Sequence, residues 1–151
     1  KPGVRRFERG AFLRGRGADM TRVRKLFREK MEDYRAKAEA LRSAEIFQDS
    51  FALAICPSEG IESPTIVGAQ AANELLDVVG IKASIVFTKY EDKVYISARS
   101  IDEVNVQLIM ERLGGGGHLS TAGTQLTGCS VEEAKELVKE TILQMLEEGA
   151  I

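Results

Sequence analysis

Four consecutive glycines, residues 114–117, constrain this chain more than any other stretch, and the single histidine, His118, follows them directly. Ordering such a run is costly, because glycine loses more backbone freedom on folding than any other residue. Glycine also lets a backbone approach a ligand closely, adopt positive φ and present several N–H groups to an anion. The run lies between two globular segments, so we expect a binding loop; a flexible linker is the alternative.

Length and composition indicate a globular protein. The chain has 151 residues, of which 44% are hydrophobic and 29% charged, which suits one domain with a core or a small domain with an appendage. No apolar run has the length of a membrane span and no signal peptide opens the sequence. The chain begins without Met, as if cut from a longer protein. We therefore expect a cytoplasmic location, with any membrane anchor upstream.

The two cysteines, Cys56 and Cys129, form no C-x-x-C pair, and we expect reduced, structural thiols. One histidine and two scattered cysteines do not complete a zinc site. Charge is unevenly distributed: residues 1–30 hold eleven Lys/Arg and three Asp/Glu, whereas the rest hold ten and twenty. The basic segment faces either an anionic ligand or solvent beside another domain, and the sequence does not separate these two interpretations.

Three regions are expected along the chain. Residues 1–18 contain too little apolar material for a core and look like the end of a preceding domain. Residues 19–47 are predicted to be a connector helix running from Asp19 to about Ala44, with a short coiled-coil dimer contact as the alternative. We expect this helix to make the chain a homodimer through its apolar stripe, which comprises Met20, Val23, Phe27, Met31, Tyr34, Ala38 and Leu41.

Residues 48–151 are predicted to form the compact domain. A continuous apolar run over 51–56 indicates a buried strand, and Ser63 with Pro64 begins a helix that Gly80 ends. Its inward positions are Val67, Ala71, Leu75, Leu76 and Val79. Residues 84–88 and 94–99 are predicted to form a hairpin around an acidic turn.

The rest of the domain alternates helices with the glycine run. Asp102 is predicted to cap a helix whose apolar face is Val106, Ile109, Met110 and Leu113. A short edge strand follows at 124–127, and Ser130 with Glu133 forms a capping box. The last helix buries Ala134, Val138, Ile142 and Met145. This order predicts an α/β fold: a mixed β-sheet with helices packed on it, preceded by the long connector helix.

Two side chains are candidates for phosphate binding. The glycine run lacks the Lys-Ser/Thr of a Walker A loop and follows a helix, so neither common nucleotide fingerprint fits. His118 can donate a hydrogen bond to phosphate, and Arg99, at the end of a strand, offers a planar fork that matches phosphate oxygens. The alternatives are a surface histidine and an ordinary strand-end arginine. No acidic cluster indicates a metal site.

The residues also resemble a known family. The segments Ile-Ser-Ala-Arg-Ser (96–100), Asn-Val (105–106) and Leu-Gly-Gly-Gly-Gly-His (113–118), with Ala122, resemble the C-terminal DHH-associated domain of DHH-family phosphoesterases over residues 48–148. Residues 6–8, 11–14 and 17–19 resemble the end of the catalytic domain in the cyclic-di-AMP phosphodiesterases of that family.

The resemblance implies a manganese-dependent enzyme that hydrolyses cyclic-di-AMP to linear pApA. In that family the metal ligands belong to the N-terminal DHH domain, and no Asp-His-His sequence occurs here. The chain is therefore expected to be the substrate-binding part, whose partners are that missing DHH domain and a cyclic dinucleotide or short oligonucleotide. The implied substrate-binding residues are Arg99, Ser100, Gly115, Gly116, Gly117, His118 and Ala122.

Two alternatives remain at this point. Within the family, the parent is an oligoribonuclease or an adenosine-bisphosphate phosphatase. Outside catalysis, related domains are appended to some tRNA synthetases, so the chain is an RNA-binding or oligomerisation module. The basic first 30 residues favour that second alternative; the acidic domain and its few aromatic residues count against it.

Overall fold

The computed structural model describes residues 18–26, 28–101 and 103–151. The chain divides into two compact units, residues 1–31 and 32–151. The described helices are α1 (Ala18–Leu26), α2 (Met31–Arg42), α3 (Pro64–Leu75), α4 (Val106–Arg112) and α5 (Val131–Glu148). The strands are β1 (Glu45–Phe47), β2 (Phe51–Cys56), β3 (Ala83–Tyr90), β4 (Lys93–Ser100), β5 (Gly116–Gly117) and β6 (Thr121–Thr127).

The strands form one six-stranded sheet in the order β1-β2-β3-β4-β6-β5. Strands β2 and β3 are parallel, and every other neighbouring pair is antiparallel. The predicted mixed sheet with packed helices is therefore confirmed, as are strand β2 and the β3–β4 hairpin. Strand β6 is longer than predicted and is not an edge, because β5, formed by two of the glycines, pairs with its outer side.

Each face of the sheet has its own core, as the alternation of side chains along a strand requires. One core joins the sheet to α4 and α5, and it includes all the inward positions predicted for α5. The other core lies under α2 and α3 and is built mostly from alanines. On this second face the core residues come from β2 and β3. Along β4 the side chains that face this side are only half-buried.

The predicted connector helix is wrong as one continuous element. Residues 28–30 are not helical, so α1 and α2 are separate. None of the described residues of the predicted apolar stripe is fully buried: Met31 is 59% exposed and Tyr34 63%, whereas Met20, Val23 and Leu41 are half-buried. Most helical stability in proteins comes from burying an apolar face, and α2 instead buries the small face of Ala36 and Ala40. Ala38 is exposed and Phe27 lies outside the described residues.

Helix α3 ends earlier than predicted. It stops at Leu75, and the chain continues through tight turns in which Leu76 N–H donates to the Asn73 carbonyl at 3.2 Å. Because of these turns Val79 is 99% exposed, and Ile81, which follows Gly80, is buried instead. Pro64 occupies the first turn as predicted, but the Ser63 side chain makes no capping hydrogen bond.

The residue predicted to cap α4 is not its N-cap in the structure, whereas the predicted N-terminus of α5 is confirmed. Asp102 lies outside the described residues, and the N-cap of α4 is Asn105, whose side chain accepts a hydrogen bond from Leu108 N–H at 3.3 Å. The capping box of α5 is confirmed: Ser130 and Glu133 exchange both hydrogen bonds, each at 3.0 Å.

Candidate nucleotide-binding face

The glycine run first ends helix α4. Gly114 has a φ of +85°, the left-handed conformation that glycine adopts without steric cost. Its N–H donates to the Glu111 carbonyl at 3.1 Å, and the Gly115 N–H donates to the Met110 carbonyl at 2.9 Å. These two bonds form a Schellman motif. The Gly115 N–H is therefore occupied, and the expectation that it faces an anion is wrong.

The run then becomes strand β5 and a tight hairpin. The His118 N–H donates to the Thr121 carbonyl at 2.7 Å, and the Thr121 N–H donates to the His118 carbonyl at 3.4 Å. Hydrogen-bonded and non-hydrogen-bonded pairs alternate in an antiparallel ladder, so Gly116 is bonded to β6 while Gly117 directs its N–H outward. The loop therefore offers an anion the Gly117 N–H, and not the row of amides that we expected.

The fold constrains the glycines at positions 115–117 to different degrees. A Cβ on Gly115 would overlap the carbonyl oxygen of Gly123, and a Cβ on Gly117 would lie 2.5 Å from a Cα of β6. Gly117 also has a φ of +144°. A Cβ on Gly116, in contrast, would meet nothing within 4 Å, and its φ lies outside the left-handed region. No contact of the described fold requires glycine at position 116.

Strand register brings the two predicted phosphate-binding side chains onto one face. Arg99 on β4 is the cross-strand partner of Thr121 on β6, and Thr121 pairs in turn with His118. Cross-strand partners share a face, so the three side chains form a row about 10 Å long across two strand spacings. Thr121 was missed by sequence analysis, because only the register places its hydroxyl between the other two.

Arg99 is half-buried, and burial lowers the pKa of its guanidinium. Its Nη1 donates to the Ala98 carbonyl at 2.9 Å. Among the residues that the structure describes, no carboxylate forms an ion pair with it. A partly desolvated cation without a counter-charge favours binding of an anion, and such groups are common at functional sites.

Two of the predicted site residues lie on the opposite face. The Ser100 hydroxyl is buried and donates to the Leu119 carbonyl at 3.2 Å, and the Ser100 N–H donates to the Ser120 carbonyl at 3.0 Å. Ala122 is 5% exposed and belongs to the core under α4 and α5. The contacts of Ser100 hold the hairpin that carries His118, and Ala122 packs in the core.

The face that carries Arg99 also contains a depression of about 360 Å³ beside β5. Its lining residues are Tyr95, Gly114, Gly115, Gly123, Thr124 and Gln125. Among residues 18–26, 28–101 and 103–151, no group of three His, Cys, Asp or Glu side chains is placed to hold a metal ion. The same residues include no helix with the length and apolar character needed to cross a bilayer.

Comparison with known proteins identifies the domain. The DHHA1 domain matches residues 51–148, and the chain therefore belongs to the DHHA1 domain family, as the sequence motifs predicted. The chain is 40% identical over 151 residues to the cyclic-di-AMP phosphodiesterase GdpP of Bacillus subtilis (strain 168), covering 99% of this chain and 23% of that protein. It is 41% identical over 137 residues to the cyclic-di-AMP phosphodiesterase PdeA of Listeria monocytogenes, covering 90% and 21%.

The chain thus spans less than a quarter of the length of these curated relatives. Among solved structures, an exopolyphosphatase-related protein from Bacteroides fragilis superposes with a TM-score of 0.69 at 20% identity, covering 81% of this chain and 37% of that one. At this level of identity the likeness concerns the fold alone.

Proposed function

We propose that this chain is the substrate-binding part of a cyclic-di-AMP phosphodiesterase. The identity to two proteins of that name over nearly the whole chain supports the substrate class. The observation that carries the proposal is Arg99, a half-buried guanidinium without a carboxylate partner among the described residues, in one row with Thr121 and His118.

In this proposal one phosphate of the dinucleotide lies over the row. The guanidinium of Arg99 supplies the charge, and the Thr121 hydroxyl and the His118 imidazole donate hydrogen bonds from the face of the sheet; the outward N–H of Gly117 remains available at the edge of the sheet. Hydrogen bonds to charged groups contribute about 1.5–3 kcal/mol each. The bare backbone at Gly116 lets the phosphate or ribose approach the strand without a methyl group in the way.

Bond cleavage belongs to another part of the enzyme in this account. We infer that manganese is held by an N-terminal DHH domain outside these 151 residues. No cluster among the described residues fits a metal ion, so no step of the reaction is assigned to this domain. Its contribution is to hold the phosphate in place, which lowers the entropic cost of the reaction.

We also propose that the chain forms a homodimer. In the described part of the helical segment, Leu26, Met31 and Tyr34 are each more than half exposed. Large apolar side chains exposed close together in sequence favour association with a second copy.

Calorimetric titration of the 151-residue chain with cyclic-di-AMP tests the proposed site. Arg99→Met should weaken binding about 10- to 100-fold, the equivalent of about 1.5–3 kcal/mol. The matched control is Arg112→Met, because Arg112 already pairs with Glu148 at 2.6 Å, and it should bind like the parent. Equal affinity of both variants would contradict the proposal. Tighter binding of a short oligoribonucleotide or of adenosine bisphosphate would assign the parent to one of those activities.

A further inference from the structure

The depression beside β5 extends beyond the row that we assign to phosphate. Its lining includes Tyr95 and Gln125 but neither Arg99 nor His118. Tyr95 and Gln125 are cross-strand partners on β4 and β6, so their side chains share the face that carries Arg99. Tyr95 and Arg99 lie four positions apart along β4, which corresponds to roughly 14 Å between their Cα atoms. One nucleotide with a hydrogen bond at its phosphate and another at its base spans a distance of this order.

The backbone between the two rows is nearly bare. The intervening row consists of Ser97, Gly123 and Gly116, which are successive cross-strand partners. None of them carries a side chain larger than a hydroxymethyl group. A ribose therefore fits between the Arg99 row and the depression without steric hindrance from this sheet.

The two larger side chains of the depression have the chemistry of base recognition. The ring of Tyr95 is half-buried and is flanked by the ring of Tyr90, at 6.4 Å between centroids and a tilt of 47°. An aromatic ring held in this way offers a stacking surface to a nucleobase. The amide of Gln125 is exposed, and no hydrogen bond ties it to the described residues. Glutamine pairs with adenine in two places, accepting from N6 and donating to N7.

We propose that Tyr95 and Gln125 form an adenine subsite, with the ring stacked on the base and the amide paired to its N6 and N7. This inference rests on the proposed function, because the phosphate row fixes where the nucleotide begins. It assigns recognition of the adenine base, which the proposed substrate already contains, to two residues that the sequence motifs do not include.

The test compares three ligands that each carry a single 5′-phosphate: 5′-AMP, 5′-GMP and ribose 5-phosphate. Binding to the 151-residue chain is measured by calorimetry. We expect 5′-AMP to bind about tenfold more tightly than ribose 5-phosphate, since stacking supplies the difference. Tyr95→Ala should remove the tenfold advantage of 5′-AMP and leave the affinity for ribose 5-phosphate unchanged. Tyr95→Phe, which keeps the ring, should retain that advantage. Gln125→Ala should abolish the preference for 5′-AMP over 5′-GMP.

The matched control is Gln107→Ala, which removes a glutamine that does not line the depression and should bind all three ligands like the parent. Equal binding of 5′-AMP and ribose 5-phosphate by the parent would overturn the base subsite while leaving the phosphate row intact. Equal binding of 5′-GMP and 5′-AMP by the parent would overturn the pairing of Gln125 with adenine. If Arg99→Met does not weaken the binding of ribose 5-phosphate, the proposed function itself is contradicted. This result distinguishes a failure of the phosphate site from a failure of the base subsite.

Discussion

Gly116 offers the sharpest separation of a binding role from a folding role. A Cβ at this position would meet nothing within 4 Å, and the backbone φ is one that alanine adopts. Replacing glycine by alanine at a compatible position stabilises a protein by about 0.4–1 kcal/mol, because the unfolded chain becomes less flexible. Gly116→Ala should therefore melt at the same temperature as the parent or up to about 3 °C higher.

The same methyl group would stand where we place the nucleotide. It faces the sheet surface between Arg99 and the depression, and it would push the phosphate or ribose away from the strand. Losing one charge-assisted hydrogen bond costs about 1.5–3 kcal/mol. We expect Gly116→Ala to bind cyclic-di-AMP about 10- to 100-fold more weakly in a calorimetric titration.

Gly117→Ala is the matched control, because the same methyl group one residue later has the opposite effect on folding. Its φ of +144° and a Cβ 2.5 Å from the Cα of Ala122 leave alanine no unstrained position. We expect a loss of stability of about 1–3 kcal/mol, seen as a lower melting temperature. If Gly116→Ala instead binds like the parent at an unchanged melting temperature, the ligand does not lie on this part of β5 and the argument from the missing side chain is refuted.

The remaining predictions concern chemistry, stability and assembly. Burial raises the pKa of the Cys56 thiol to about 11, so a thiol reagent should modify Cys129 first and Cys56 only on unfolding; rapid double labelling of the native chain would contradict the structure. Hydrogen bonds from Lys139 and Lys135 lower the pKa of Glu45, so its stabilising effect is present at neutral pH and is lost as the pH falls through that lowered pKa. Glu45→Gln should thus cost about 0.5–1 kcal/mol at pH 7 in urea titrations, with a smaller difference below the ordinary glutamate pKa of about 4.3; an equal loss at both pH values would disagree. With manganese added, the purified chain should release no linear dinucleotide above background, and measurable turnover would place metal ligands within it. Sedimentation should show a dimer at micromolar concentration, and a monomer throughout would argue against the homodimer.

Local signals in the sequence predicted much of the fold. The capping box at Ser130 and the 3.6-residue spacing of apolar positions behind it identify α5 correctly, because both depend only on neighbouring residues. The continuous apolar run of β2 similarly marks a strand covered on both faces. Arg99 and His118 were proposed to bind phosphate from residue type and position; the register places them on one face, and their role stays a prediction.

The parts that sequence analysis missed depend on contacts between distant residues. Strand β5 consists of two glycines and carries no side-chain pattern, so only its pairing with β6 defines it. The register of β6 places Thr121 on the face that carries Arg99, whereas Ser100 and Ala122 face the core. The buried face of α2 was mispredicted for a related reason. The prediction placed the larger apolar residues on the buried face, but the small side chains of Ala36 and Ala40 allow closer packing and are buried instead.

We propose above all that the nucleotide binds the face of the sheet formed by β4, β6 and β5. This proposal is tested most directly by titrating the isotope-labelled 151-residue chain with linear pApA and following the amide chemical shifts. We expect the largest changes at Arg99, Gly116, Gly117 and Thr121, with little change along α5 on the opposite face. Changes concentrated on α5, or none at millimolar pApA, would contradict the proposal.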